Sequence, residues 1–237
     1  MKSGIMRSVV TVVILCAMLA GSTAHVRAAS QAKTNWTLDE VLKAIDRESR
    51  SFQSLTANIE RTKVTVVVND TSTETGHVWM RRDNKMRIEL APPDARTVLV
   101  TGNTLYLHNP GLKRVEEFDL GKHRTQLDKF LFLGFGTSAG DLKGDYIITL
   151  QGESALDQRK VLLLELTPKK DEVRTHFSRI HLWIDLATWV PMQQRLFETG
   201  SGDHTTIRYT NVQRNASIPD ARFRPNWPRE TTKIKRQ

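Results

Sequence analysis

The spacing of apolar positions changes at Ser54. Before it, Leu38, Val41, Leu42, Ile45 and Phe52 recur at intervals near three, four and seven, with Asp39, Arg47, Glu48 and Arg50 on other faces, which predicts an amphipathic helix. Thr37 and Glu40 have the spacing of a capping box at its start. After Ser54 the period becomes two. Val64, Val66 and Val68 alternate with other residues up to a turn at Asn69-Asp70, and Val78 and Met80 alternate with His77, Trp79 and Arg81 on the return, so a long hairpin is expected. Strand-like runs follow at 86–90, 97–101, 104–108, 114–118, 146–151, 160–167, 179–185, 190–198 and 204–212, with turn signals such as Gly102-Asn103 and Asn109-Pro110-Gly111 between them. Only Leu127 to Phe135 is ambiguous between helix and strand. These runs amount to about 11 strands with few helices, so the fold class is mainly β, an antiparallel meander. A sheet of that width curls, which predicts an incomplete antiparallel β-barrel with a helical lid on its concave side. Either that face holds a hydrophobic ligand or the helices complete an ordinary core.

The first residues follow another pattern. Lys2 and Arg7 precede an apolar run, Val9 to Ala20, and small residues lead to Val26-Arg27-Ala28, the layout of a secretory signal peptide. The run is shorter than the ~20 residues a bilayer core requires. We therefore expect residues 1–28 to be a signal peptide cleaved near Ala28, residues 29–237 to be one domain, and the protein to be periplasmic. Removing Lys2, Arg7 and Arg27 lowers the net charge from +9 to +6. In an exported protein a basic balance of this size favours solubility or an anionic lipid surface over nucleic acid, and no interleaving of basic and aromatic residues suggests stacking on bases.

Composition also limits the chemistry. The single cysteine, Cys16, lies in the leader, so the mature chain has no thiol for a disulfide, a zinc site or nucleophilic catalysis. His176 and His181 are five residues apart and would point to opposite faces of a strand, so no metal site is expected. Glu116 and Glu117 alternate faces and cannot form a two-carboxylate acid/base site. Gly136-Thr137-Ser138-Ala139-Gly140 is a literal G-x-S-x-G, with Asp185 and His204 following in the order of a hydrolase triad. A nucleophile elbow needs a strand before the serine and a helix after it, built on a parallel sheet that a chain of hairpins does not supply. The enzyme alternative, a Ser138 hydrolase, is thus disfavoured; no cofactor is called for.

Particular segments resemble a known family. Arg82-Asp83-Asn84-Lys85-Met86-Arg87-Ile88-Glu89-Leu90, followed by Pro92-Pro93, is similar to the R-P-G-K-F-R-W-E-Y segment of periplasmic outer-membrane lipoprotein carriers of the LolA type. Leu99-Val100 with the stretch Gly102 to Pro110 resembles that family's L-V-x-D-G-K-T-L-W-x-Y-N-P, and Ala221, Phe223 and Pro225 resemble its closing A-x-F-x-F-x-P. The proline after the family's arginine is Asp83 here, and the aspartate before the glycine is absent, since Thr101 runs straight into Gly102. The resemblance implies an incomplete barrel with a helical lid, acting without chemistry as a carrier of acylated lipoproteins or related lipids. Its partners would be an inner-membrane donor complex and an outer-membrane acceptor, and a monomer is expected. Relatives of the fold also carry glycolipids or serve as lipid-sensing regulatory domains of envelope stress, which is the alternative binding role. The resemblance implies that Arg82 matches the family's arginine that hydrogen-bonds lid groups and lets go when acyl chains enter, so it should donate to backbone carbonyls at a lid-helix C-terminus or in the glycine loop after Phe135; its parity with Val78 and Met80 would aim it at the apolar face, and a slip of one residue would put Arg81 there instead. The expected ligand-binding residues are Arg82, Val78, Met80, Met86, Ile88, Leu90, Leu105 and Leu107, with lid contacts from Leu38, Leu42, Ile45 and residues between Leu127 and Leu133.

Overall fold

The computed structural model describes residues 35–121 and 124–236. The expected signal peptide lies outside the described residues. Helix α1 (Leu38–Ser51) begins at the predicted box: the Glu40 carboxylate accepts from the Thr37 N–H at 2.8 Å and the Thr37 hydroxyl accepts from the Glu40 N–H at 3.3 Å. Two of the donors left over at the helix start are thereby satisfied.

Twelve strands follow in one sheet: β1 (Ser54–Thr65), β2 (Asp70–Arg81), β3 (Lys85–Leu90), β4 (Arg96–Thr101), β5 (Thr104–Asn109), β6 (Arg114–Asp119), β7 (Tyr146–Leu156), β8 (Arg159–Pro168), β9 (Phe177–Asp185), β10 (Pro191–Glu198), β11 (His204–Arg214) and β12 (Thr232–Arg236). The order is β12-β6-β5-β4-β3-β2-β1-β11-β10-β9-β8-β7, so two antiparallel meanders join where β1 pairs with β11, and β7 and β12 leave the barrel open. Between β6 and β7 lie α2 (Arg124–Leu131) and α3 (Ala139–Asp145), and a single turn, α4 (Asp171–Arg174), links β8 to β9.

The mainly β, incomplete barrel is as expected, with two differences of detail. One strand more is present than the 11 or so expected, because β12 adds to β6 in parallel, with Thr232 opposite Arg114. Val66 and Val68 do not continue β1. The hairpin closes at Thr65 opposite Asp70, Asn69 takes a left-handed φ of 49°, and Val66, Val67 and Val68 are exposed at the tip. Alternation alone could not reveal this, because the register is fixed across the hairpin by Leu55 opposite Met80 and Ala57 opposite Val78.

The inner face is covered unequally. Over β8 and β9, Val41, Leu42 and Ile45 of α1 pack with Leu142 of α3 against Leu162, Leu164, Leu166, Ile180, Leu182 and Ile184, all buried. Leu38 packs at the border of this cluster. In the middle of the sheet, Leu131, Phe132 and Phe135 cover Leu55, Ala57, Met86 and Val100. The lid therefore fills one half of the concave face and stops short of the other.

Candidate functional site

Beyond the lid, the inner face of β1 to β6 and β11 surrounds a cavity of about 450 Å³, within the usual range of small-molecule pockets, roughly 300–1,000 Å³. Five of the residues expected from alternation line it: Val78, Met80, Ile88, Leu90 and Leu107. Met86 and Leu105 do not. Met86 is buried one step further toward the lid, and Leu105 packs against the same cluster. Ile59, Val98, Ile207 and Tyr209 line the cavity without having been anticipated. Their signal was available as period-two continuations, Leu55-Ala57-Ile59 on β1 and Ile207-Tyr209 on β11, but which parity faces inward follows only from the pairing of Ile59 with Tyr209 and Gly76. Burial raises the Tyr209 phenol well above its ordinary pKa, and the ring meets Phe135 edge-on with centroids 4.9 Å apart.

The lid margin is fixed by one polar bond to the inner face and one within the lid. Gln194, buried on β10, donates from Nε2 to the Leu133 carbonyl at 2.8 Å, and Asp46 of α1 accepts from the Ala139 N–H at 2.7 Å. Gly136 has φ +72° and lies against the Phe52 ring, where a Cβ would come within 2.6 Å of Cδ1. Only glycine allows this close approach of the loop to the end of α1.

Arg82 is not brought together with the cavity. It sits one residue past the end of β2, exposed, and its Nη1 donates to the Arg50 carbonyl at 2.8 Å and the Phe52 carbonyl at 3.2 Å, at the C-terminal end of α1. It borders a separate cleft with Phe132, Phe135 and Thr137. The expectation that its guanidinium is buried in the apolar face is thus corrected, since the strand ends at Arg81 and the side chain reaches water over the helix terminus. The register question is also answered. Arg81 points to the outer face, where it pairs with Asp83 at 2.8 Å and Asp220 at 2.5 Å and lies over the Phe223 ring.

That outer contact belongs to a second cluster. Leu99, Ile218 and Phe223 pack with Trp79, Tyr106 and Trp227, so the segment before β12 crosses the outside of the sheet half whose inside is hollow. Arg222 stacks over Trp79 and His108 over Trp227. This buttress supports the outer side of strands whose inner face lines the cavity.

The residues of the G-x-S-x-G run have ordinary structural partners. Ser138 is the N-cap of α3, accepting from the Asp141 N–H and donating to Asp141 Oδ2 at 2.6 Å. Asp185 accepts from Arg159 and Thr188, and His204 pairs across strands with Val64 and Phe197, so no triad is assembled. Among the described residues no group of three or more histidine or acidic side chains could hold a metal ion. No helix among them is long and apolar enough to cross a membrane.

The open sheet with a helical cover on its inner face and a hollow beneath agrees with the comparison to known families. A family model described as "Outer membrane lipoprotein carrier protein LolA" matches residues 50–226. The chain belongs to the LolA family. Similar LolA relatives include an outer-membrane lipoprotein carrier protein of Chromohalobacter salexigens, 28% identical over 149 residues, covering 62% of this chain and 64% of the carrier. An uncharacterized protein of Methanocaldococcus jannaschii is 23% identical over 186 residues, covering 78% of this chain and 50% of that one. The chain thus spans between half and two thirds of the length of these relatives. Among solved structures, an uncharacterized conserved protein from Thermus thermophilus has a TM-score of 0.55 at 11% identity, covering 84% of this chain and 98% of the other, which shows the shared fold. Both the family model and the Chromohalobacter relative are described as outer-membrane lipoprotein carrier proteins.

Proposed function

We propose that the protein is a periplasmic carrier that takes acyl chains of lipoproteins, or of related lipids, into the hollow half of the barrel and shuttles them toward the outer membrane. The observation that carries this is the unequal covering of one continuous apolar face. Leu164 and Leu182 are sealed beneath α1, whereas Ile88, Leu90 and Leu107 face an unfilled cavity of about 450 Å³. A sheet selected only for stability would fill such a hollow, because interiors pack at crystal-like density. Export through a signal peptide at residues 1–28, action as a single domain and a monomer, and exchange with an inner-membrane donor and an outer-membrane acceptor complete the proposal. Val78, Met80, Ile88, Leu90 and Leu107 serve as the floor for the chains, Met86 and Leu105 as the margin exposed when the lid shifts, and Arg82 as a tie holding α1. The unbranched methionines suit a surface that must repack around flexible chains.

The test is displacement of a hydrophobic fluorescent reporter. The purified protein should bind the dye, and a diacylated peptide should displace it while the unacylated peptide does not. Failure to bind either dye or acylated peptide would overturn the carrier role.

A further inference from the structure

The apolar floor is bordered by charges arranged in an unusual proportion. On one side Arg61 of β1 and Arg96 of β4 both engage Glu74 of β2, Arg61 at 2.7 Å. On another, Arg114 of β6 and Arg236 of β12 both engage Glu116, at 3.7 and 2.7 Å. Each carboxylate thus faces two guanidinium groups, so each cluster keeps one positive charge in excess. The layering is also ordered. Glu74 is only 12% exposed while Arg96 is 47% exposed, so the carboxylate lies beneath and the cations face the solvent side of the mouth. Each arginine approaches its carboxylate through one nitrogen, whereas a guanidinium carries five N–H donors in a planar fork. Arg236 holds the Glu116 carboxyl below its ordinary range, so the arrangement persists at neutral pH.

We infer that this rim is a headgroup site for an anionic phosphate amphiphile whose tail occupies the cavity. The floor supplies the burial that a hydrocarbon chain requires, and the excess guanidinium donors supply bidentate contacts matched to phosphate oxygens. Arg61, Arg96 and Arg114 all border the same cavity as Ile88 and Leu107, so one molecule can reach both. A neutral amphiphile would leave the excess charge at the mouth uncompensated. The inference rests on the carrier role proposed above and narrows its cargo.

The test uses displacement of N-phenylnaphthylamine by decyl phosphate, decyl maltoside and decyltrimethylammonium below their micelle thresholds, with calorimetry of inorganic phosphate alone. At low ionic strength decyl phosphate should displace the dye at on the order of tenfold lower concentration than decyl maltoside, and the preference should shrink as salt rises. Arg96→Gln and Arg114→Gln should each reduce the preference for decyl phosphate over decyl maltoside. Glu74→Gln, which removes a competing anion, should strengthen it, so the inference remains testable if an arginine variant fails to fold. Equal displacement by the phosphate and the maltoside would overturn the headgroup site and leave the carrier role standing. Absence of dye binding altogether would remove both. Inorganic phosphate binding as tightly as decyl phosphate would also refute the inference, by showing an anion site that ignores the tail.

Discussion

A phenylalanine placed in the hollow half of the barrel should be tolerated where the same side chain in the covered half is not. Ile88 faces the 450 Å³ cavity, while Leu164, fully buried, is enclosed by Leu182, Leu150 and the α1 residues Leu42 and Ile45. In Ile88→Phe the added ring atoms enter empty space. About 20–40 Å² of extra apolar burial would contribute ~0.5–1 kcal/mol, an amount that ordering the ring largely offsets. Leu164→Phe must push its neighbours off their rotamers, at a cost of about 1–3 kcal/mol. The two variants should therefore differ by at least ~1 kcal/mol, which for a domain of this size corresponds to roughly 2–4 °C in Tm. Urea unfolding followed by circular dichroism, with equal m-values required for the comparison, measures the difference. The same Ile88→Phe protein should bind the reporter dye more weakly, since the ring occupies the dye's space. Loss of more than about 2 kcal/mol in Ile88→Phe would show that the cavity is not available to a side chain and refute the reasoning.

Gln194→Leu leaves the buried Leu133 carbonyl without its donor, so stability should fall by about 1–3 kcal/mol and amide exchange across residues 131–136 should accelerate; unchanged protection there would show that the bond does not hold the lid. Ser138→Ala removes an N-cap, so it should cost about 1 kcal/mol and leave dye displacement intact, and a fluorophosphonate should not label the wild type; covalent labelling at Ser138 would reinstate the hydrolase. Asp83 is held well below its ordinary value of 3.8, first by its hydrogen bond from Arg81, and a folded pKa below the unfolded one stabilises at pH above 3.8 and is lost as pH falls through the folded value. Unfolding midpoints should therefore decline below pH 4 less steeply in Arg81→Gln than in wild type; identical slopes would mean that Arg81 does not govern the decline.

The parts of this fold that local chemistry dictates could be read from the sequence. Thr37 and Glu40 lie within one turn of each other, so their capping box needs nothing from the rest of the molecule, and α1 starts where they place it. Strands such as 104–109 and 177–185 differ from expectation by only a residue or two, because alternation records which face is apolar. What that record lacks is the partner. Thr232–Arg236 contains one apolar residue, Ile234, and becomes a strand only because β6 offers a free edge. Val66-Val67-Val68 has high strand propensity and yet forms a tip, since Asp203 accepts from the Val66 N–H and the register set further down the hairpin closes it at Thr65. The cavity was half legible for the same reason. Val78, Met80, Ile88 and Leu90 lie on adjacent strands of one hairpin, so a local pattern places them together, whereas Ile207 and Tyr209 reach the cavity through the β1–β11 pairing, some 150 residues away in sequence. The arginine rim was not legible at all, because Arg61, Arg96 and Arg114 lie on three strands and read singly as solvated charges.

The position of Arg82 changes how a lid over this sheet can work. A guanidinium sealed in the apolar face would resist closure unless perfectly paired, and opening would then mean breaking bonds worth several kcal/mol in a dry interior. The side chain is instead exposed and donates to the Arg50 and Phe52 carbonyls, where the end of α1 carries partial negative charge. Such a contact is screened by water and weak, on the order of 0.3–1 kcal/mol. The firmer attachments are elsewhere: the buried Gln194 to Leu133 bond and the packing of Phe132 and Phe135 onto Leu55, Ala57 and Met86. Glu48 and Asn215 add further ties, with Arg214 donating to Glu48 Oε2 at 2.6 Å and Asn215 to the Ser51 carbonyl at 2.9 Å, both linking the end of α1 to β11. Helix α1 is therefore fastened to the sheet by several independent contacts, while the loop from Leu131 to Phe135 is anchored at Leu133 by the Gln194 bond and meets the cavity edge at Phe132 and Phe135 through apolar faces. Apolar contacts are non-directional, so an entering acyl chain can replace those of Phe132 and Phe135 at little net cost, whereas displacing Leu133 would leave its buried carbonyl unpaired and displacing α1 would break the Arg214 and Asn215 ties. The physical chemistry thus favours a container that enlarges as the Phe132 and Phe135 side chains turn aside, with α1 and the Leu133 anchor as the fixed wall.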